Sequence, residues 1–195
     1  MIDLDLRMHT AVDQLLGKIR PKCTAILRTR GYYGVPELVN QFKTHIWGLI
    51  EIHCGAYFHA ANSLLEKIDQ VQTSFLNKLE VTERQASLKF NFAPPALRRN
   101  IAVLGMIHKQ ILGKCHPSFD SRLPPKAYAE EGRHSKQLYA HWLEVKEHRA
   151  LFNRSIFGMV DIYNNLPQAV VDSISVSTFQ GRLTEVARRR CQRLE

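Results

Sequence analysis

Chemistry needs particular side chains at particular spacings, and few such sets occur in this chain. His53, Cys54 and His59 lie close together, and the adjacent Cys115 and His116 could add two more metal ligands. Structural zinc sites use two ligand pairs at fixed short spacing, which neither group supplies, so no metal is expected. The four cysteines, Cys23, Cys54, Cys115 and Cys191, contain no C-x-x-C pair and read as free thiols. A cysteine nucleophile with a histidine base is open on spacing alone, because such partners meet only in the fold, yet no orienting motif accompanies any of the nine histidines. There is no Gly-x-Gly fingerprint, phosphate loop or His-Glu-x-x-His. The only clustered aspartates, Asp3 and Asp5, sit where a chain end frays, which does not suit a two-metal site. No cofactor is implied.

The basic residues carry the stronger signal. Twenty-seven Lys and Arg against 18 Asp and Glu give a formal charge of +9, which draws a protein toward polyanions, nucleic acid above all. Arg98 and Arg99, then Lys109 and Lys114, and the cluster Arg188, Arg189 and Arg190 could all follow phosphates. Arg98 and Lys109 are eleven positions apart, which on a helix places them on one face roughly 16 Å apart. The same clusters also occur as ordinary solvated helix faces.

The elements that would hold these residues are helical. Leu6, Val12, Leu15, Leu16 and Ile19, followed by Ile26 and Leu27, have helical spacing, with Pro21 expected to break or kink the run. Residues 36–61 repeat Leu38, Phe42, His45, Leu49, His53, Ala56 and Ala60 as one long amphipathic helix, in which Gly48 and Gly55 would let a neighbour approach. Ser63 and Glu66 have capping-box spacing ahead of the stripe Leu64, Ile68, Val71, Phe75 and Leu79, and the two helices should pair antiparallel. Thr82 and Gln85 repeat that spacing, and Pro94-Pro95 opens a helix with Leu97, Ile101, Leu104, Ile107 and Ile111 inward and its four basic residues turned elsewhere.

The expected class is therefore all-α. A helical bundle over residues 1–113 is followed by an irregular linker over 114–134 and a smaller helical segment over 135–195. Within the last, 135–149 is ambiguous, 153–164 reads as a helix stopped before Pro167, and Ser175 caps a final helix. No run of apolar residues is long enough to span a bilayer, so no membrane partner is expected. The opening "MIDLDLRMHTAVDQLLGK" lacks the basic-then-apolar order of a secretory signal. An intracellular location, nuclear or cytoplasmic, is expected.

Three blocks resemble the region downstream of the palm in non-LTR (LINE-type) reverse transcriptases. The first contains Glu51, Tyr57, His59, Asp69 and Gln72 within "HIWGLIEIHCGAYFHAANSLLEKIDQVQTSFL". The second is "APPALRRNIAVLGMIHKQILG", with Arg98 and Arg99, and the third has Tyr163, Asn164, Leu166 and Pro167 followed by Ser175 and Phe179. The resemblance implies a thumb-like bundle that grips an RNA, RNA–DNA or DNA duplex by its backbone, with a palm domain as its missing partner. The family's aromatic-x-Asp-Asp motif is absent, since no two aspartates are adjacent. A non-catalytic fragment is thus expected, with nonspecific nucleic-acid contact as its function. The alternative is a helical protein-interaction module whose basic residues maintain solubility.

Overall fold

Residues 8–52, 54–120, 134–140 and 149–193 are described by a computed structural model. The protein is all-α, with no sheet among the described residues. It divides into two compact units, one formed by the described residues up to Arg99 together with those from Arg188 on, the other by Asn100–Ala187. The division thus falls at Arg99/Asn100 instead of Gly113. Residues 100–111 share a core with the carboxy-terminal helices, which the heptad-like pattern of the segment alone could not reveal. Most of the expected linker, 121–133, lies outside the described residues.

The first unit begins with α1, His9–Arg28, whose Val12, Leu15, Leu16, Ile19, Cys23, Ile26 and Leu27 form one buried stripe. Of the two outcomes expected at Pro21, a break is ruled out, since one helix runs through it. Pro21 lies on the exposed face, and the carbonyl one turn back belongs to exposed Gly17, so the freed acceptor faces water.

Next, α2 (Val35–Phe42) carries Pro36 in its first turn and leads through a π-helical turn, Lys43–Trp47, into α3 (Gly48–Ile52) and α4 (Cys54–Tyr57). The wide turn explains a departure from the sequence reading. Buried Leu38, Phe42, Ile46 and Ile50 follow steps of four, which on a regular helix drift by about 40° each. A π turn winds more slowly and returns them to one face. Ile46, Trp47 and Ile50 therefore enter the core, while His45 is exposed and Leu49 half-buried. Gly48 and Gly55 face open space and bring no neighbour closer. His53 lies outside the described residues.

α5, Asn62–Lys78, runs antiparallel to this segment, since Phe42 meets Phe75 while Trp47 meets Gln72. Its cap is Ala61, whose carbonyl accepts from the Leu64 and Leu65 amides, so Ser63 falls inside the helix and forms no capping box with Glu66. The second box exists: Thr82 Oγ1 accepts from the Gln85 amide and Gln85 Oε1 from the Thr82 amide, opening α6 (Glu83–Phe90). α7, Pro95–Ile111, starts at the expected proline pair. Phe42, Trp47, Phe75 and Phe92 cluster at the centre of this unit.

The second unit contains the rest of α7, which ends at Gly113 with a left-handed φ of 66°. Beyond it lie α8 (Pro117–Asp120), a non-helical piece over 134–140, α9 (Arg149–Asn153), α10 (Val160–Asn164), α11 (Gln168–Val171) and α12 (Val176–Arg193), whose residues from Arg188 on belong to the first unit. The helix expected over 153–164 is broken. Ser155 Oγ donates to Phe152 O and accepts from the Phe157 amide, turning the chain, and a Cβ at Gly158 would lie 2.6 Å from Asn153 Cα. Val170 and Val171 are buried, and Ser175 Oγ caps α12 by accepting from the Thr178 amide.

Candidate nucleic-acid interface

Arg98 and Arg99 are turned into the protein. The Arg98 guanidinium stands 3.6 Å from the centroid of the Trp47 ring and pairs with Glu51. Arg99, only 6% exposed, forks onto Asp69, with Nη2 2.9 Å from Oδ2. Burial works against the Arg99 charge, but the Asp69 hydrogen bond and charge outweigh it and hold the guanidinium firmly protonated. Trp47 stacks on Phe92 and donates to Gln72 Oε1 at 2.8 Å, and Gln72 Nε2 donates to Ala93 O at 3.0 Å. Tyr57 donates its hydroxyl to Ile50 O at 2.6 Å.

Two blocks singled out separately in the sequence thus meet as each other's partners. Glu51, Asp69 and Gln72 fix the start of α7, and His59 stands half-buried nearby in sequence. Buried Arg99 is committed to Asp69, which corrects the expectation that it turns away from the core, while Arg98 keeps 26% of its side chain exposed beside Glu51. Arg188 is likewise used internally, donating to Leu88 O at 3.1 Å. Arg189, Arg190, Lys109 and Lys114 are exposed, and Lys114 Nζ lies 3.4 Å from Ile174 O.

The third block builds the core of the second unit. His108 is fully buried, with Nδ1 2.9 Å from the Tyr163 hydroxyl, Nε2 2.9 Å from Ser173 O, and its ring stacked on Phe179 at 4.1 Å. A carbonyl can only accept, so Nε2 carries the proton and Nδ1 accepts from Tyr163. Burial lowers the His108 pKa and raises that of Tyr163. Buried Asn164 brackets Leu138, accepting from its amide and donating to its carbonyl. Leu166 closes the turn through its amide to Tyr163 O, and Pro167 O accepts from Val170 and Val171. Each polar group in this set is consumed by structure. No local motif singles out His108.

Further exposed cations gather on α1 and α5. Between these helices lies a groove of about 280 Å³ with Cys23, Leu27, Val71 and Phe75 at its base and Arg20, Thr24, Lys67, Gln70, Ser74 and Lys78 around it. No acidic residue lines it. A second, shallower concavity shares Arg20 and Thr24 and continues along α1 to Arg28. Lys67 and Lys78 could have been found from the polar stripe of α5. Arg20 needed the packing of α1, which depends on Pro21 being tolerated.

Among the described residues, no group of three His, Cys, Asp or Glu side chains could hold a metal ion, and no helix is long and apolar enough to cross a membrane. Neither a family model nor a curated protein nor a solved structure matches the chain.

Proposed function

We propose that this protein binds the phosphate backbone of nucleic acid without sequence preference, through the α1/α5 groove. The observation that carries this reading is the acid-free ring of Arg20, Lys67 and Lys78 around that groove, with hydroxyl and amide groups of Thr24, Ser74 and Gln70 between them. Such a set offers charge and hydrogen-bond donors to phosphate oxygens and no rigid readers of base edges. The resemblance to the post-palm region of LINE-type reverse transcriptases supports the same direction, and the mutual contacts of its first two blocks fit a shared architecture. On this reading the chain has no polymerase chemistry of its own, and a palm-bearing partner would supply it.

A salt series with a short RNA and a short DNA tests the proposal. Replacing Arg20, Lys67 and Lys78 by Ala should reduce the slope of log affinity against log salt by about two to three. An unchanged slope would leave the protein-interaction reading in front. That rival is favoured by Ile52 and Ile174, both more than three-quarters exposed, at 80% and 82%.

A further inference from the structure

Between Asp13 and Glu37 the chain contains no acidic residue, while Lys18, Arg20, Lys22, Arg28 and Arg30 all fall there and are all exposed. Lys18 and Lys22 are one turn apart on one flank of the buried stripe of α1, and Arg20, Thr24 and Arg28 follow one another by single turns on its other flank, since positions two apart differ by about 200° around a helix. At the end of the helix the chain does not simply turn back. It presents two consecutive aromatic residues, Tyr32 and Tyr33, at 89% and 49% exposure.

The turn that carries them is hydrogen-bonded. Tyr32 and Tyr33 both donate their amides to Thr29 O, at 2.9 and 3.2 Å, and Thr29 Oγ1 donates to Ile26 O at 2.7 Å. The backbone beneath the rings is therefore fixed to the last turn of α1, and the rings are offered to solvent from a held position. An exposed aromatic ring forgoes the burial that would normally stabilise it. Two of them beside Arg28 and Arg30 combine stacking surface with phosphate-binding charge. Bases are available for stacking in a single strand and are occupied with one another in a duplex. The first acid beyond the turn, Glu37, folds its carboxylate toward Gly34.

We infer that the α1 face and the following turn form a binding site for single-stranded nucleic acid, with Arg20, Arg28 and Arg30 along the backbone and Tyr32 and Tyr33 stacking on bases. Arg20 is shared with the α1/α5 groove, so the inference rests on the backbone-binding reading and extends it. It names the strand state that the site selects.

Fluorescence anisotropy with a single strand of about 12 nucleotides, a duplex of equal length and an abasic strand tests it; one OB-fold domain, for comparison, covers about 4–16 nucleotides. The Tyr32→Ala, Tyr33→Ala variant should bind the single strand about fivefold or more weaker, the lower edge of what one base–aromatic stack contributes. Its duplex and abasic-strand affinities should match those of the parent. The Tyr32→Phe, Tyr33→Phe variant, which keeps both rings, should restore single-strand affinity. Equal losses on all three ligands, or no loss on the single strand, would overturn the stacking site and leave the backbone reading intact. If the parent protein binds none of the three, both fall.

Discussion

Asp69→Ala is the most informative single change to the fold. It removes the carboxylate from a guanidinium that is 6% exposed, while Asp69 itself is 26% exposed. The asymmetry sets the magnitudes. Removing one partner of a buried pair costs about 3–5 kcal/mol because the other charge is stranded, and partial solvation of the site puts Asp69→Ala near the bottom of that range, about 3 kcal/mol. Arg99→Met leaves a carboxylate with access to water and keeps most of the apolar stem, so about 1–2 kcal/mol is expected. The double variant leaves no charge behind and should recover at least about 1 kcal/mol relative to Asp69→Ala. Urea unfolding followed by far-UV circular dichroism reads all three, and at this chain length about 3 kcal/mol also lowers Tm by about 6 °C or more. If Asp69→Ala were cheaper than Arg99→Met, or the double variant no better than Asp69→Ala, the stranded-charge reasoning would be refuted.

Other parts of the structure give further expectations. His108 has a folded-state pKa below its unfolded value of 6.5, so its neutral form stabilises the fold above that pH. That contribution should diminish as pH falls from about 6.5 through the lowered folded value, and a His108→Gln variant should show a flatter stability profile between pH 7 and 5. Thr82→Ala removes a capping box and should cost about 1 kcal/mol, whereas Ser63→Ala, inside α5, should stay within about 0.5 kcal/mol of the parent. Burial raises the thiol pKa of Cys23 and pushes that of Cys54 up to about 11. Cys115 and Cys191 are half-buried, so an aromatic disulfide reagent at mild alkaline pH should label them first and reach the other two only after unfolding.

Much of the all-α architecture was legible, because buried stripes at helical spacing persist in the structure on α1, α5 and α7. The Thr82 and Ser175 caps and the start at Pro95 were legible for the same local reason. What failed depended on information from elsewhere in the chain. His45 lost its place in the core to Ile46 because a π turn shifted the register. Ser63 lost its capping role because the helix starts ahead of it. The candidate site moved most. Arg98 and Arg99 looked like free cations in sequence, and only the fold brings Glu51 and Asp69 against them. Conversely, Arg20 is unremarkable in sequence and joins Lys67 at one groove only through helix packing. Tyr32 and Tyr33 stand between Gly31 and Gly34, and their exposure cannot be read from a residue name.

Lysine footprinting tests the central claim most directly. The protein is acetylated briefly with and without a bound short RNA, and modification at each lysine is quantified by mass spectrometry. Protection is expected at Lys67 and Lys78, which line the α1/α5 groove, with Lys109 and Lys114 as reactive in the complex as in the free protein. Protection confined to Lys109 and Lys114, with Lys67 and Lys78 unchanged, would contradict the account and return the interface to α7.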